Sequence, residues 1–194
     1  MAPSASYIPA NSDADLRSVL HDAFGFSDLR AGQREAIEAV LAGRNVIAVM
    51  PTGAGKSLCY QLPALVRGGL TVVVSPLVAL MRDQVAVLRL NGIAAATINS
   101  DISREENIRT WYAVRDGEVR LLYLSPERLM TQRMQAALGK LEVNLFAIDE
   151  AHCISQWGPA FRPEYAMLSE LRTRFPGTPI IGLTATADRA TRDD

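Results

Sequence analysis

The chain has 194 residues, 48% hydrophobic and 21% charged, the proportions of an ordinary globular domain with a full core. A net charge of −1 and a sequence pI near 6.1 exclude the strongly basic surface of a protein that coats nucleic acid, so any such contact must be local. No apolar run is long enough to span a membrane, and the start MAPSASYIPANSD has neither the charged segment nor the apolar centre of a secretory signal. Residues 1–12 read as a flexible tail. Cys59 and Cys153 are far apart and lack CxxC or Cys/His ligand spacing, which argues against zinc and fits a reducing, cytoplasmic setting.

In chain order, helical patterns over 13–23 and 33–42 precede a continuous apolar strand, NVIAVM (45–50). Further strands are predicted at TVVVS (71–75), AAATI (94–98), RLLYLS (120–125), LFAID (145–149) and PIIGLTA (179–185). VALMRDQVAVLRLNG (78–92) reads as a helix stopped by Gly92. SREENIRTWYAV (103–114) opens with Ser103 and Glu106 at capping-box spacing. SPERLMTQRMQAALG (125–139) reads as one helix, with Ser125 as N-cap, Pro126 in the first turn and Gly139 as the stop. Strands alternating with helices imply crossover units and a mostly parallel sheet with helices on both faces. Ligands of such α/β folds bind at the carboxyl ends of the strands.

MPTGAGKS (50–57) lies between a strand and a helix. Gly53 and Gly55 let the backbone wrap a phosphate, the loop amides from Thr52 onward and the helix N-terminus favour an anion, Lys56 can reach terminal phosphates, and Ser57 can hold Mg²⁺. The competing reading is a plain glycine-rich turn. LFAIDE puts Asp149 and Glu150 at a later strand tip, where an aspartate can hold Mg²⁺ and a neighbouring glutamate can polarise water; a solvated acidic strand end is the alternative. In FGFSDLRAGQREAI (24–37), Phe26 can stack on a base while Arg30 and Gln33 read an adenine edge, although an amphipathic surface helix explains the same residues. SPLVALMRDQ (75–84) and LSPERL (124–129) are strand-tip turns whose amides can bind a backbone phosphate or simply cap helices. Thr184 and Thr186 in GLTATA (182–187) can bridge a nucleotide site to another element or form a Thr-rich strand end. His21 reads as exposed. His152, just behind the carboxylates, can sense, relay or merely cap.

DEAHCISQWGPAFRPEY (149–165) spaces Trp157, Phe161 and Tyr165 as on one helix face. Gly158, Pro159 and Pro163 interrupt such a helix, so the segment reads as a loop, with a helix beginning near Glu164. Aromatics on a loop are harder to explain as core than aromatics on a helix.

In these motifs the chain resembles the first RecA-like lobe of the RecQ-family DNA helicases of superfamily 2, over nearly all of residues 16–190. The resemblance implies a RecA-like P-loop NTPase domain over 13–194, with ATP and Mg²⁺ as cofactors. Lys56, Asp149 and Glu150 would be its catalytic residues. Phe26, Arg30, Gln33, Thr52, Gly53, Gly55, Lys56 and Ser57 would bind nucleotide, with Ser57 and Asp149 holding the metal. It further implies that Trp157, Phe161 and Arg162 meet single-stranded or partly duplex DNA, through aromatic faces that stack on any base. His152, Gln156, Thr184 and Thr186 would couple DNA to hydrolysis, and Pro163 and Tyr165 would brace the loop. Pro159 and Ala160 stand where the family often has His-Asp, Ala54 where Gly is common, and Met50 where the strict phosphate-loop pattern wants Gly. Such a lobe serves strand separation in DNA repair and recombination. Motifs of a second lobe, and zinc-binding, winged-helix and HRDC regions, are absent from these 194 residues. The isolated chain is therefore expected to bind ATP and hydrolyse it weakly. The phosphate loop alone also permits a small-molecule kinase or a nucleotide-switched binding module; no arginine-rich lid segment supports the first, and Glu150 weighs against the second.

Overall fold

The computed structural model describes residues 13–154 and 163–185; the expected tail over 1–12, Gln156, Trp157, Phe161 and Arg162 of the aromatic loop, and Thr186 lie outside the described residues. The chain opens with α1 (Asp13–Phe24) and α2 (Gln33–Leu41), then β1 (Val46–Val49), α3 (Leu58–Arg67), β2 (Leu70–Val74) and α4 (Val78–Leu90). It continues through β3 (Ala95–Ile98), α5 (Arg104–Arg115), β4 (Leu121–Leu124), α6 (Pro126–Leu129), α7 (Gln132–Leu138) and β5 (Val143–Ile148). After a 3-10 turn (Ala151–Ile154) come α8 (Pro163–Ala166), a second 3-10 turn (Met167–Glu170), α9 (Leu171–Arg174) and β6 (Ile180–Thr184).

All described pairings are parallel, in the order β1-β6-β5-β2-β4-β3. Every residue of β2, β3 and β4 is buried, which is why these segments read as unbroken apolar runs rather than alternating ones. Alternate side chains feed two cores. Ala48, Val73, Tyr123, Ala147 and Leu183 face a layer that includes α1 to α4, while Val72, Leu124, Phe146 and Ile148 face the layer of α5 to α9. β1 is an edge, and its Ile47 is 68% exposed. No helix among the described residues is long and apolar enough to cross a membrane.

All six predicted strands form, within one or two residues of their expected ends. The helix expected over 125–139 does not run through. It ends at Leu129, and Thr131 starts α7 as a new N-cap, its hydroxyl accepting from the Met134 amide and donating to the Arg128 carbonyl. A threonine hydroxyl competes with the helical ladder for nearby backbone groups, and here it resets the helix. Ser103 caps α5 through the Glu106 amide as expected, and His21 is exposed.

Phe146 is a fully buried member of the second core, with its ring 4.9 Å from that of Phe175. Phe146→Ala is expected to destabilise the fold by ~3–5 kcal/mol in urea unfolding, the usual loss for a buried aromatic. A loss under ~1 kcal/mol would show that the two faces do not fold as one unit.

Candidate nucleotide site

Three strand tips meet at one end of the sheet. The loop 50–57 follows β1, Asp149 follows β5, and β6 lies between them, so the two outer tips are roughly 10 Å apart, twice the spacing of paired strands. Gly53 and Gly55 take φ of +80° and +75°, conformations that favour glycine and turn the loop into the start of α3. Among the described residues, the amides of Gly53, Gly55, Lys56 and Ser57 have no hydrogen-bond partner in the protein. Orphan amides before a helix N-terminus form an anion site. Lys56 is half-buried and its Nζ donates to the Met50 carbonyl at 3.4 Å, so the ammonium folds back over its own loop.

Arg30 and Gln33 clamp that loop from outside. Arg30 Nη1 donates to the Gly53 carbonyl at 2.9 Å. Gln33, 3% exposed, donates through Nε2 to the carbonyls of Ala54 and Gly55 at 2.9 and 3.1 Å, while its Oε1 accepts from the Arg30 amide. A Cβ on Gly55 would sit 2.7 Å from that Nε2, a second reason for glycine there. Both donors of the Gln33 amide are thus used on the loop, and reading an adenine edge requires it to let go of one. Phe26, on the chain before this clamp, is 51% exposed.

Asp149 is buried at the tip of β5. Its amide donates to the Val74 carbonyl at 2.8 Å, and its own carbonyl accepts from the Tyr165 hydroxyl at 3.1 Å. Tyr165 is itself completely buried, so it braces this tip as a core residue and does not belong to an exposed aromatic surface. Burial pushes the Asp149 carboxyl above its ordinary range and the neighbouring Glu150 charge adds to this; the Glu150 amide, Lys56 and the amide of Gln84 act in the opposite direction. A buried anion beside a second carboxylate favours a cation, and the oxygen donors of Asp149 and Ser57 suit a hard one such as Mg²⁺.

Glu150 has φ of +51°, a left-handed conformation that is costly for a glutamate and is found at sites where geometry is imposed. Its Oε2 lies 3.2 Å from His152 Nδ1, and that same nitrogen lies 3.1 Å from Thr184 Oγ1. The Thr184 carbonyl accepts from the Met50 amide at 3.0 Å. One residue at the end of β6 therefore touches both the phosphate loop and the histidine behind the carboxylates. His152 and Thr184, singled out in the sequence, are brought together, and Lys56 is close enough to Asp149 to act on its charge.

Tyr60 and Gln84 were not visible as site residues. The fully buried Tyr60 hydroxyl donates to Gln84 Oε1 at 2.7 Å and lies 3.2 Å from the Tyr123 hydroxyl. Gln84 in turn lies near enough to Asp149 to favour its ionised form. Burial raises both phenols, Tyr123 to about 12 and Tyr60 well above its ordinary value, so both stay neutral donors. A tyrosine in an apolar helix looks like core, and only the fold pairs it with a glutamine on α4.

The loop, the buried aspartate and the bridging threonine thus lie at neighbouring strand tips. Residues 30–194 match the DEAD/DEAH box helicase family. The chain belongs to that family. It is 51% identical over 91% of its length to the ATP-dependent DNA helicase RecQ of Pasteurella multocida, and 50% identical over 91% to that of Haemophilus influenzae. It spans 28% and 29% of those two relatives. Its fold is similar to the crystal structure of the DUF1998 helicase MrfA bound to DNA, with a TM-score of 0.72 at 22% identity, over 95% of this chain and 28% of that one. The all-parallel sheet is thus a fold shared with helicases.

An acid whose folded pKa lies above its unfolded value costs stability once it is forced to ionise. The cost is absent below the unfolded value, near 3.8 for an aspartate, and complete above the folded one. Asp149→Asn is therefore expected to raise the Tm of the ligand-free helicase chain at pH 7.5, at about 2–4 °C per kcal/mol gained. The gain should shrink as pH falls toward 4. A lower Tm at pH 7.5 would contradict the burial argument.

Proposed function

We propose that the chain is the ATP- and single-stranded-DNA-binding motor lobe of a RecQ-type DNA helicase, coupling ATP hydrolysis to strand separation in a larger protein. The observation that carries this reading is the meeting of Met50, His152 and Thr184 beside Asp149 and Glu150, which links a phosphate loop to a carboxylate pair through one residue. Two RecQ helicases are 50% and 51% identical to it over 91% of its length.

In this reading the free amides of Gly53, Gly55, Lys56 and Ser57, together with Thr52, cradle the phosphates, and Lys56 swings from the Met50 carbonyl onto the terminal ones. Ser57 and Asp149 hold Mg²⁺, which neutralises charge developing on the phosphates when bound. Glu150 orients the attacking water, and His152 fixes the Glu150 carboxylate. Phe26 stacks on the adenine while Arg30 and Gln33 exchange loop carbonyls for its edge, so nucleotide and loop compete for one clamp. Trp157, Phe161 and Arg162 engage the DNA strand; Gln156, His152, Thr184 and Thr186 relay its presence to the carboxylates. Hydrolysis stabilised from both sides needs a second lobe that closes over the nucleotide, so the isolated chain binds ATP–Mg²⁺ and turns it over slowly. The same reading places the whole protein in DNA repair and recombination.

The test is ATP hydrolysis with and without single-stranded DNA. The expected result is slow turnover that DNA stimulates and that Glu150→Gln lowers by ~10²-fold or more, the usual weight of a general base. Lys56→Ala should abolish productive ATP binding, whereas Trp157→Ala should spare it and weaken DNA binding. Phosphate transfer to a small acceptor with no DNA effect would instead mark a kinase.

A further inference from the structure

Two strands of the sheet end in the same dipeptide, and its serine does different things in the two places. Ser125-Pro126 follows β4, where the Ser125 hydroxyl accepts from the Arg128 amide at 3.3 Å and caps α6. Ser75-Pro76 follows β2, but α4 begins only at Val78, with Leu77 at its N-cap and no side-chain capping bond. The Ser75 hydroxyl is left over. The residue is 1% exposed, and its Oγ has no hydrogen-bond partner in the protein. An unpaired buried hydroxyl costs stability, so packing alone favours an apolar side chain at this position. Among the described residues, three other buried side chains carry an unpartnered polar atom: Arg67 at the end of α3, Thr71 near the start of β2 and Gln135 on α7. Of the four, Ser75 alone stands at the carboxyl end of a strand, the edge at which the nucleotide site lies.

Register puts this hydroxyl beside Asp149. Val74 pairs with Ile148, and the ladder continues one residue further on both sides of β2. The Asp149 amide donates to the Val74 carbonyl at 2.8 Å, and the Ser75 amide donates to the Leu124 carbonyl at 3.2 Å. Ser75 and Asp149 are therefore neighbours across two paired strands, at a strand spacing of roughly 5 Å. Val74 and Ile148 face the second core, so the alternation of strand side chains turns the next pair, Ser75 and Asp149, toward the layer of α1 to α4. Tyr60 and Tyr123 belong to that first core, and both feel the Asp149 charge. A hydrogen-bonding group held next to a buried carboxylate and unused in the empty site fits a partner that arrives with the ligand. Mg²⁺ keeps several of its waters when one or two protein oxygens hold it, and each such water needs an acceptor. A serine hydroxyl offers two lone pairs.

We propose that Ser75 is a positioning residue of the cation site, its hydroxyl accepting a hydrogen bond from a water carried by the Mg²⁺ that Asp149 holds. Ser75 thereby sets how much the metal strengthens nucleotide binding, and the free chain bears the cost of the unpaired hydroxyl. The proposal rests on the reading of Asp149 as a cation ligand.

The experiment is calorimetric titration of ATP, with and without Mg²⁺, into the wild-type chain, Ser75→Ala, Ser75→Cys and Asp149→Asn, beside thermal melts of the ligand-free proteins. Ser75→Cys keeps the side chain's shape and offers only a weak donor and acceptor. Both Ser75 variants should keep the Mg²⁺-free affinity for ATP and lose at least about fivefold of the strengthening that Mg²⁺ gives the wild type. Ser75→Ala should melt no lower than the wild type. Full Mg²⁺ strengthening in Ser75→Ala, with Asp149→Asn impaired, overturns the role of Ser75 and leaves the nucleotide-site reading standing. A loss in Ser75→Ala that Ser75→Cys restores marks a packing effect and overturns it as well. A Tm lowered by more than about 4 °C in Ser75→Ala shows a hydroxyl already partnered in the free chain, with the same consequence. No Mg²⁺ strengthening in the wild type overturns both readings.

Discussion

A carboxylate held out of water organises this molecule. Asp149 ends the central strand β5, where the Val74 carbonyl, the Tyr165 hydroxyl and the Glu150 amide fix its backbone and side chain. Burying a charge is costly unless something compensates it. Lys56 and Gln84 offset part of that cost, and the remainder is what a bound cation would relieve. The surrounding structure follows from the need to keep this one group ionised and dry: a two-faced parallel sheet excludes water from the tip, and a phosphate loop brings a lysine within reach.

β6 turns this local site into one that can be coupled to something else. Its last residue donates no ligand of its own in this reading. The Thr184 backbone ties the entry of the phosphate loop, and its hydroxyl meets the histidine that contacts Glu150. Thr184 thus contacts the phosphate loop at Met50 and, through His152, the Glu150 carboxylate. The left-handed Glu150 marks where the backbone bears the strain of that arrangement. Tyr60 holds Gln84 of α4, whose side chain favours the ionised form of the Asp149 carboxylate.

Much of this was legible from residue order. The strands announced themselves because burial on both faces demands unbroken Val, Ile and Leu runs, and the glycine-lysine-serine loop and the Asp-Glu pair fell at strand tips as α/β topology requires. Local hydroxyl chemistry was not legible: Thr131 splits what periodicity reads as one helix. Nor was the state of Gln33, whose amide is spent on the phosphate loop in the ligand-free chain, a contact spanning 21 residues of sequence. Tyr165 was expected to brace its segment, and it does so from the core, with its hydroxyl on the Asp149 carbonyl. Tyr60 and Gln84 meet only because α3 and α4 cover the same face of the sheet.

The central claim, that the buried Asp149 completes a cation-dependent nucleotide site, is tested most directly by calorimetric titration of ATP with and without Mg²⁺ in the wild-type chain and in Asp149→Asn. The account predicts that Mg²⁺ strengthens ATP binding in the wild type and that the strengthening disappears in the variant, while the Mg²⁺-free affinity is retained or improved. Equal affinities with and without Mg²⁺ in the wild type, or the same Mg²⁺ effect in both proteins, would contradict it.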